Sequence, residues 1–196
     1  MRILITGAAG TGTTTLGRAI SQDIGAAFLD ADDYYWLPSD PPYQFKRPPD
    51  ERFTQLQNSL SGVGSAVIAG SVMEWGRPIE NSFSLVVFLF VPAAVRVERL
   101  RRRELERYGK ASEEFLAWAL QYDEGRLPGR TRARHEAWLS LRSCEVLRLE
   151  GDMTTSESLS RVKQALSNSS FERAGSNGGP RLTAAGTPGP AAQFDR

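Results

Sequence analysis

Gly7-Ala8-Ala9-Gly10-Thr11-Gly12-Thr13-Thr14 is the stretch that decides how this 196-residue chain is read. It fits the phosphate-loop pattern G-x-x-x-x-G-K-[ST] at every fixed position except one, where Thr13 stands in place of lysine. Before it, Arg2-Ile3-Leu4-Ile5-Thr6 is a short apolar run suited to a buried parallel strand. After it, Leu16, Ala19, Ile20 and Ile24 recur at helical spacing, which predicts a helix from Thr13 to about Ile24. Strand, glycine-rich turn and helix thus follow in the order that a phosphate cradle requires. Glycines let the main chain approach an anion, and the amides at the helix start point toward it. Thr14 occupies the place of the Mg²⁺-ligating hydroxyl. The plainer alternative is a Gly/Thr-rich turn joining a strand to a helix; the satisfied context favours phosphate binding. Gly7, Ala8, Ala9, Gly10, Thr11, Gly12, Thr13, Thr14 and Thr15 are therefore the candidate nucleotide-binding loop.

Outward from the loop, residues 26–30, 65–70, 85–91 and 144–149 read as four more strands. Between them, helices are expected over about 50–60, with Asp50 as a possible N-cap, and over 92–108, opening on Pro92. Further helical stretches cover about 112–121, 132–141 and 154–166. Pro38, Pro41, Pro42, Pro48 and Pro49 interrupt regular structure after the second strand. Alternating strands and helices predict an α/β fold, a parallel sheet covered on both faces. Residues 1–167 form the expected domain. From Asn168 to the end Ser, Asn, Gly, Pro and Ala dominate, a composition too poor in apolar side chains to offset ordering entropy, so 168–196 reads as a mobile tail.

Several function classes drop out. A formal net charge of +1 gives no global basic field for nucleic acid. The single cysteine, Cys144, rules out an intrachain disulfide framework and sits in an apolar stretch suited to packing. No apolar run reaches membrane-spanning length and no signal peptide is recognised, so the cytoplasm is the expected compartment. One histidine, His135, beside arginines, favours a surface or packing role over a general base, and no zinc constellation or G-x-S-x-G elbow is present.

Five strands with the phosphate loop after the first resemble the nucleoside and nucleotide kinase group of P-loop proteins. That resemblance covers about residues 1–167 and implies strand order 2-3-1-4-5, with ATP and Mg²⁺ as cofactors. Gly12-Thr13-Thr14-Thr15-Leu16-Gly17-Arg18, followed by Asp30-Ala31-Asp32-Asp33-Tyr34-Tyr35-Trp36, is similar to adenylate-kinase-like bacterial proteins with a GTTT loop.

The acidic stretch leaves the second strand at its C-terminal edge, where open α/β sheets bind ligands. It resembles the D-D-F-[YF] stretch of uridine and nicotinamide riboside kinases, which makes Asp33 or Asp32 the candidate base and Asp30 a structural or substrate-side residue. Adjacent carboxylates cannot both aim at one proton, and a polar strand end capping a turn is the plainer reading. Tyr34, Tyr35 and Trp36 are a candidate stacking wall, though three consecutive aromatics cannot all face one way. Lys46 and Arg47 beyond them read slightly better as solvated charges. Ser71, Glu74 and Arg77, after the third strand, open onto the same edge as candidate substrate contacts. No Walker B aspartate ends strand 3 or strand 4, so metal binding falls to Thr14, phosphate, water and the acidic stretch.

Arginines recur on more than one face of the helix after strand 4, and interleaved glutamates permit i,i+3 and i,i+4 pairs. The kinase resemblance implies a lid over about 103–134, with Arg99 and Arg103 (or Arg102) reaching the transferring phosphate. Arg130, Arg132 or Arg134 would join from the return segment. Thr13 keeps a hydroxyl but loses the positive charge that stabilises the transition state, so binding should suffer less than catalysis. Arg18 starts about 7.5 Å further along the helix and replaces that charge poorly. Two functions follow: a kinase transferring the γ-phosphoryl group of ATP to a nucleotide, nucleoside or similar hydroxylated metabolite, or a catalytically weak regulatory module. Nucleotide and a small-molecule acceptor are the expected partners. Oligomeric state is unreadable from these residues.

Overall fold

The computed structural model describes residues 1–126 and 129–175, with the backbone alone for 169–175. Five parallel strands, β1 (Arg2–Gly7), β2 (Ala27–Asp30), β3 (Ala66–Ala69), β4 (Leu85–Phe90) and β5 (Glu145–Glu150), pair in the order β2-β3-β1-β4-β5. Both the fold class and the strand order expected from the sequence hold. The central strands β1, β3 and β4 are buried on both faces, which is why they read as unbroken apolar runs. Edge strand β5 is less covered, with Glu145, Arg148 and Glu150 exposed in its run.

The helices are α1 (Thr13–Ile24), α2 (Ala31–Tyr35), α3 (Pro49–Ser61), α4 (Arg77–Glu80), α5 (Ala93–Tyr108), α6 (Glu113–Leu120), α7 (Arg132–Leu139) and α8 (Thr155–Gly175). Strand alternation sends Ile3 and Ile5 to one face, where they meet Leu16, Ile20 and Val162 of α1 and α8. Leu4, Val86 and Phe88 face the other way, onto Leu56, Leu60, Ile79 and Leu139 of α3, α4 and α7. A third, smaller cluster of Leu100, Leu116 and Ala119 joins α5 and α6 and reaches Ala9 of the loop. The result is a three-layer sandwich with the loop at the carboxyl edge of its central strand.

Three local expectations change. The acidic stretch after β2 folds into α2, because the Asp30 side chain caps it by accepting from the Asp32 amide at 3.1 Å. Helix α3 begins at Pro49 with Pro48 at its N-cap, so Asp50 lies inside the first turn; proline suits that position because its missing N–H is unneeded there. Helix α8 runs on to Gly175, past the boundary at 167 where the tail was expected to start, and residues 176–196 lie outside the described residues. Part of the expected lid, residues 127–128, also lies outside them. No described helix is long and apolar enough to cross a membrane.

Candidate functional site

The loop between β1 and α1 is braced from within: the Thr11 amide and hydroxyl both donate to the Ala8 carbonyl, at 3.3 and 2.9 Å. Gly10 (φ 84°) passes so close to α5 that a Cβ there would lie 2.6 Å from the Arg96 carbonyl oxygen. Gly12 (φ 95°) leads into α1 with open space around it. Helix α1 has no side-chain cap and no acidic residue in its first turn. Its first amides are therefore left for an anion, at the positive end of the helix dipole.

These amides face a cleft of about 540 Å³ at the carboxyl edge of the sheet. One wall is acidic. Thr14 Oγ1 donates to Asp30 Oδ2 at 3.1 Å, while Asp30 Oδ1 holds the Asp32 amide. The Asp32 carboxyl is open to the cleft yet surrounded by protein, and this burial raises its pKa above the usual carboxylate range. Arg130 opposes the rise, Asp30 and Asp33 add to it, and Arg103 opposes it. Burial followed by the Asp30 charge also raises Asp33, against the pull of Arg18. Among the described residues no three His, Cys, Asp or Glu side chains group to hold a metal. Thr14 and Asp30 offer two hard oxygens at the loop's mouth, which suits Mg²⁺, an ion that keeps several waters and takes phosphate oxygens.

The facing wall is α5. Arg99, Arg102, Arg103 and Arg107 all line the cleft. Arg99 is ion-paired with Asp152 in the β5–α8 turn, beside the apolar end formed by Leu89, Leu149 and Met153. Among the described residues Arg103 keeps only a 3.6 Å contact with its neighbour Glu104, and its charge acts on Asp32. At the base of the helix Arg96 is fully buried. It donates to the carbonyls of Val91 (3.0 Å), Ala119 (3.0 Å) and Ala9 (3.5 Å) and to Asp123 (2.9 Å).

The family described as "AAA domain" matches residues 3–118. The chain belongs to this AAA-domain family. The strand order of this AAA-domain protein is the one that the resemblance to P-loop nucleotide kinases implied. It is 40% identical over 176 residues to "Uncharacterized protein YqaC" of Bacillus subtilis, covering 85% of this chain and 97% of that protein. It is 36% identical over 109 residues to a shikimate kinase of Marinomonas sp., covering 50% of this chain and 60% of the kinase. Among solved structures, a shikimate kinase from Bacteroides thetaiotaomicron has a TM-score of 0.55 at 20% identity, covering 85% of this chain and 98% of that one. A gluconokinase from Sinorhizobium meliloti gives 0.52 at 17%, covering 87% and 96%. At such identities the two structures speak for the fold alone.

In this AAA-domain protein the cleft brings Asp30, Asp32, Asp33, Arg99 and Arg103 together around loop residues 10–15. Arg18 also lines the mouth, stacked 4.4 Å from the Phe28 ring. Other candidates go elsewhere. The turn of α2 carries Tyr34 and Tyr35 against the core rather than into a stacking wall: Tyr34 donates to Ser59 Oγ at 3.0 Å, and Tyr35 stacks on Trp75 at 6.3 Å. Trp36 packs edge-on to Tyr35 at 4.8 Å. Arg47 is not solvated but holds the carbonyls of Tyr34 (3.0 Å) and Trp36 (3.3 Å). Ser71 and Arg77 do not line the cleft, and Arg77 opens α4. Glu74 and Arg134 pair with each other, so neither is free in the way the sequence suggested. Arg132 lies 4.1 Å over the Phe90 ring.

His135 is wholly buried, with Tyr122 Oη 2.5 Å from Nδ1 and Thr6 Oγ1 3.4 Å from Nε2. Burial, reinforced by the Arg130 charge, lowers its pKa to about 3, so it packs as a neutral ring. Sequence reasoning missed Tyr43, Arg107 and the β5–α8 turn, which all line the cleft. The turn had a usable signal, since it follows a fifth parallel strand at the same edge. Tyr43, inside a proline-rich loop without periodicity, had none.

Proposed function

We propose that this chain is an ATP- and Mg²⁺-dependent small-molecule kinase, transferring the γ-phosphoryl group to a hydroxyl of a nucleotide, nucleoside or similar metabolite. One observation carries the reading: an uncapped helix start, two carboxyls with raised pKa and a row of arginines share a single cleft. Amides of Gly10 to Thr15 would bind the phosphate chain, and the apolar end beside Arg99 would take the nucleotide base. Thr14 and Asp30 would hold Mg²⁺, which supplies charge neutralisation at the phosphates when bound. Asp32 is the better-placed base, because Arg103 and Arg130, the groups suited to a transferring phosphoryl, both act on it. It would take the proton of the acceptor hydroxyl as that oxygen bonds to phosphorus and the bond to the ADP leaving oxygen breaks. Asp33, beside Arg18, lies nearer the mouth.

The absent lysine supports a second reading, a nucleotide-binding regulator without turnover. ADP release measured across nucleosides, nucleoside monophosphates and sugar acids separates the two. Acceptor-dependent ADP release, lost in Asp32→Asn, supports the kinase. ATP binding with no ADP from any acceptor rejects it in favour of the regulator.

A further inference from the structure

Two non-glycine residues among those described have a left-handed backbone, Tyr43 (φ 66°) and Glu74 (φ 64°). A side chain with a Cβ is disfavoured there, and such strain persists only where the surroundings impose it. Around Tyr43 the surroundings are a closed hairpin. Trp36 bridges Lys46, the Leu37 amide donates to the Phe45 carbonyl at 2.8 Å, and the Arg47 amide donates to the Tyr35 carbonyl at 2.8 Å. At the tip, Ser39 Oγ accepts from the Gln44 amide at 3.3 Å. A turn position whose backbone suits glycine thus carries a large aromatic.

Core packing does not account for that ring. Tyr43 is 49% exposed, lines the cleft, and touches Trp36 edge-on at 6.0 Å, so one side is braced and the other open. Asp32, Arg103, Arg107 and Tyr108 lie near enough to act on its hydroxyl. It therefore stands at the acceptor side of the cleft, by the carboxylate assigned as base.

We propose that Tyr43 sets acceptor specificity, presenting a flat face to a hydroxylated acceptor that carries a planar conjugated ring. The inference rests on the kinase reading only for which half of the cleft takes the acceptor. Stacking on an aromatic face favours such a ring over a saturated polyol by several-fold or more.

The test measures binding of AMP, uridine and gluconate to the full chain by calorimetry, alongside thermal unfolding, for the wild type, Tyr43→Phe and Tyr43→Gly. Glycine accepts the left-handed backbone, so Tyr43→Gly is expected to keep or raise the Tm. The same variant is expected to weaken the ring-bearing probe about tenfold and leave ATP binding unchanged. Tyr43→Phe should bind as the wild type does. Unchanged ring binding in Tyr43→Gly, tighter wild-type binding of gluconate than of either ring probe, or no binding of either ring probe overturns the proposal. ADP formation with gluconate alone would keep the kinase and reject Tyr43. Ring binding that depends on Tyr43, without ADP formation, would support the stacking face and reject the kinase.

Discussion

Arg96 and Arg103 sit on the same helix, seven residues and about two turns apart. Among the described residues the Arg96 side chain, 1% exposed, has four acceptors, and that of Arg103, 46% exposed, has one weak partner. The lower part of α5 is thus fixed to the loop, to β4 and to the end of α6. The upper part presents charge to a cleft. An arginine with a partner on every guanidinium nitrogen holds a scaffold, while one with nitrogens to spare is available to a ligand.

Removing Arg96 is the harshest way to break this contrast. Arg96→Met strands the carbonyls of Val91 and Ala119 and the Asp123 carboxylate, and is expected to cost about 3–5 kcal/mol in urea unfolding. A loss below 1 kcal/mol would mean that the buried guanidinium is no anchor. Arg103→Met should leave stability within about 0.5 kcal/mol. Acceptor-dependent kcat should instead fall about 10²–10³-fold, as for loss of a transition-state donor. If Arg99→Met produces that fall and Arg103→Met does not, the charge that compensates for Thr13 acts from about one turn earlier in the helix.

His135 belongs to the fixed side, since its partner Tyr122 lies under Arg96. Its pKa is depressed in the fold, so below pH 6.5 the unfolded chain binds a proton that the folded chain refuses down to about pH 3. Stability should therefore fall with acid across that window, by about 2 kcal/mol at pH 5 from this group, and His135→Asn should flatten the slope. An unchanged slope in that variant would assign the acid sensitivity to other groups. The smallest effect sharpens the contrast from the loop side. Thr13→Lys restores a charge beside the phosphates and should tighten ATP binding about tenfold, read by calorimetry. Weaker binding would show that the arginines of α5 already occupy that space.

The sheet was legible because five apolar runs alternate with helical spacing and the loop follows the first of them. Helix α2 was not, since five residues are too few to show a period and its cap comes from the last residue of a strand. That single turn sends Tyr34 and Tyr35 to the core, undoing the stacking wall inferred from adjacency. The acidic wall and the arginine helix were readable as groups. Which arginines are satisfied was not, because the partners of Arg96 and Arg134 lie 27 and 60 residues away. The hairpin that delivers Tyr43 was equally hidden, as it is closed by main-chain bonds to which residue identity contributes little.

Gly10, at a variable position of the motif, and Gly12, at a fixed one, answer to different constraints. A methyl group at Gly10 would strike α5, so a descendant of this chain that had abandoned nucleotides would still need glycine there. Gly12 meets nothing within 4 Å, and only its own backbone geometry calls for glycine. Part of this glycine-rich loop is thus a record of how the protein packs against itself. For a chain with a degenerate loop, Gly12 and the uncapped turn after it are the better witnesses to a bound phosphate, and Gly10 testifies mainly to the fold.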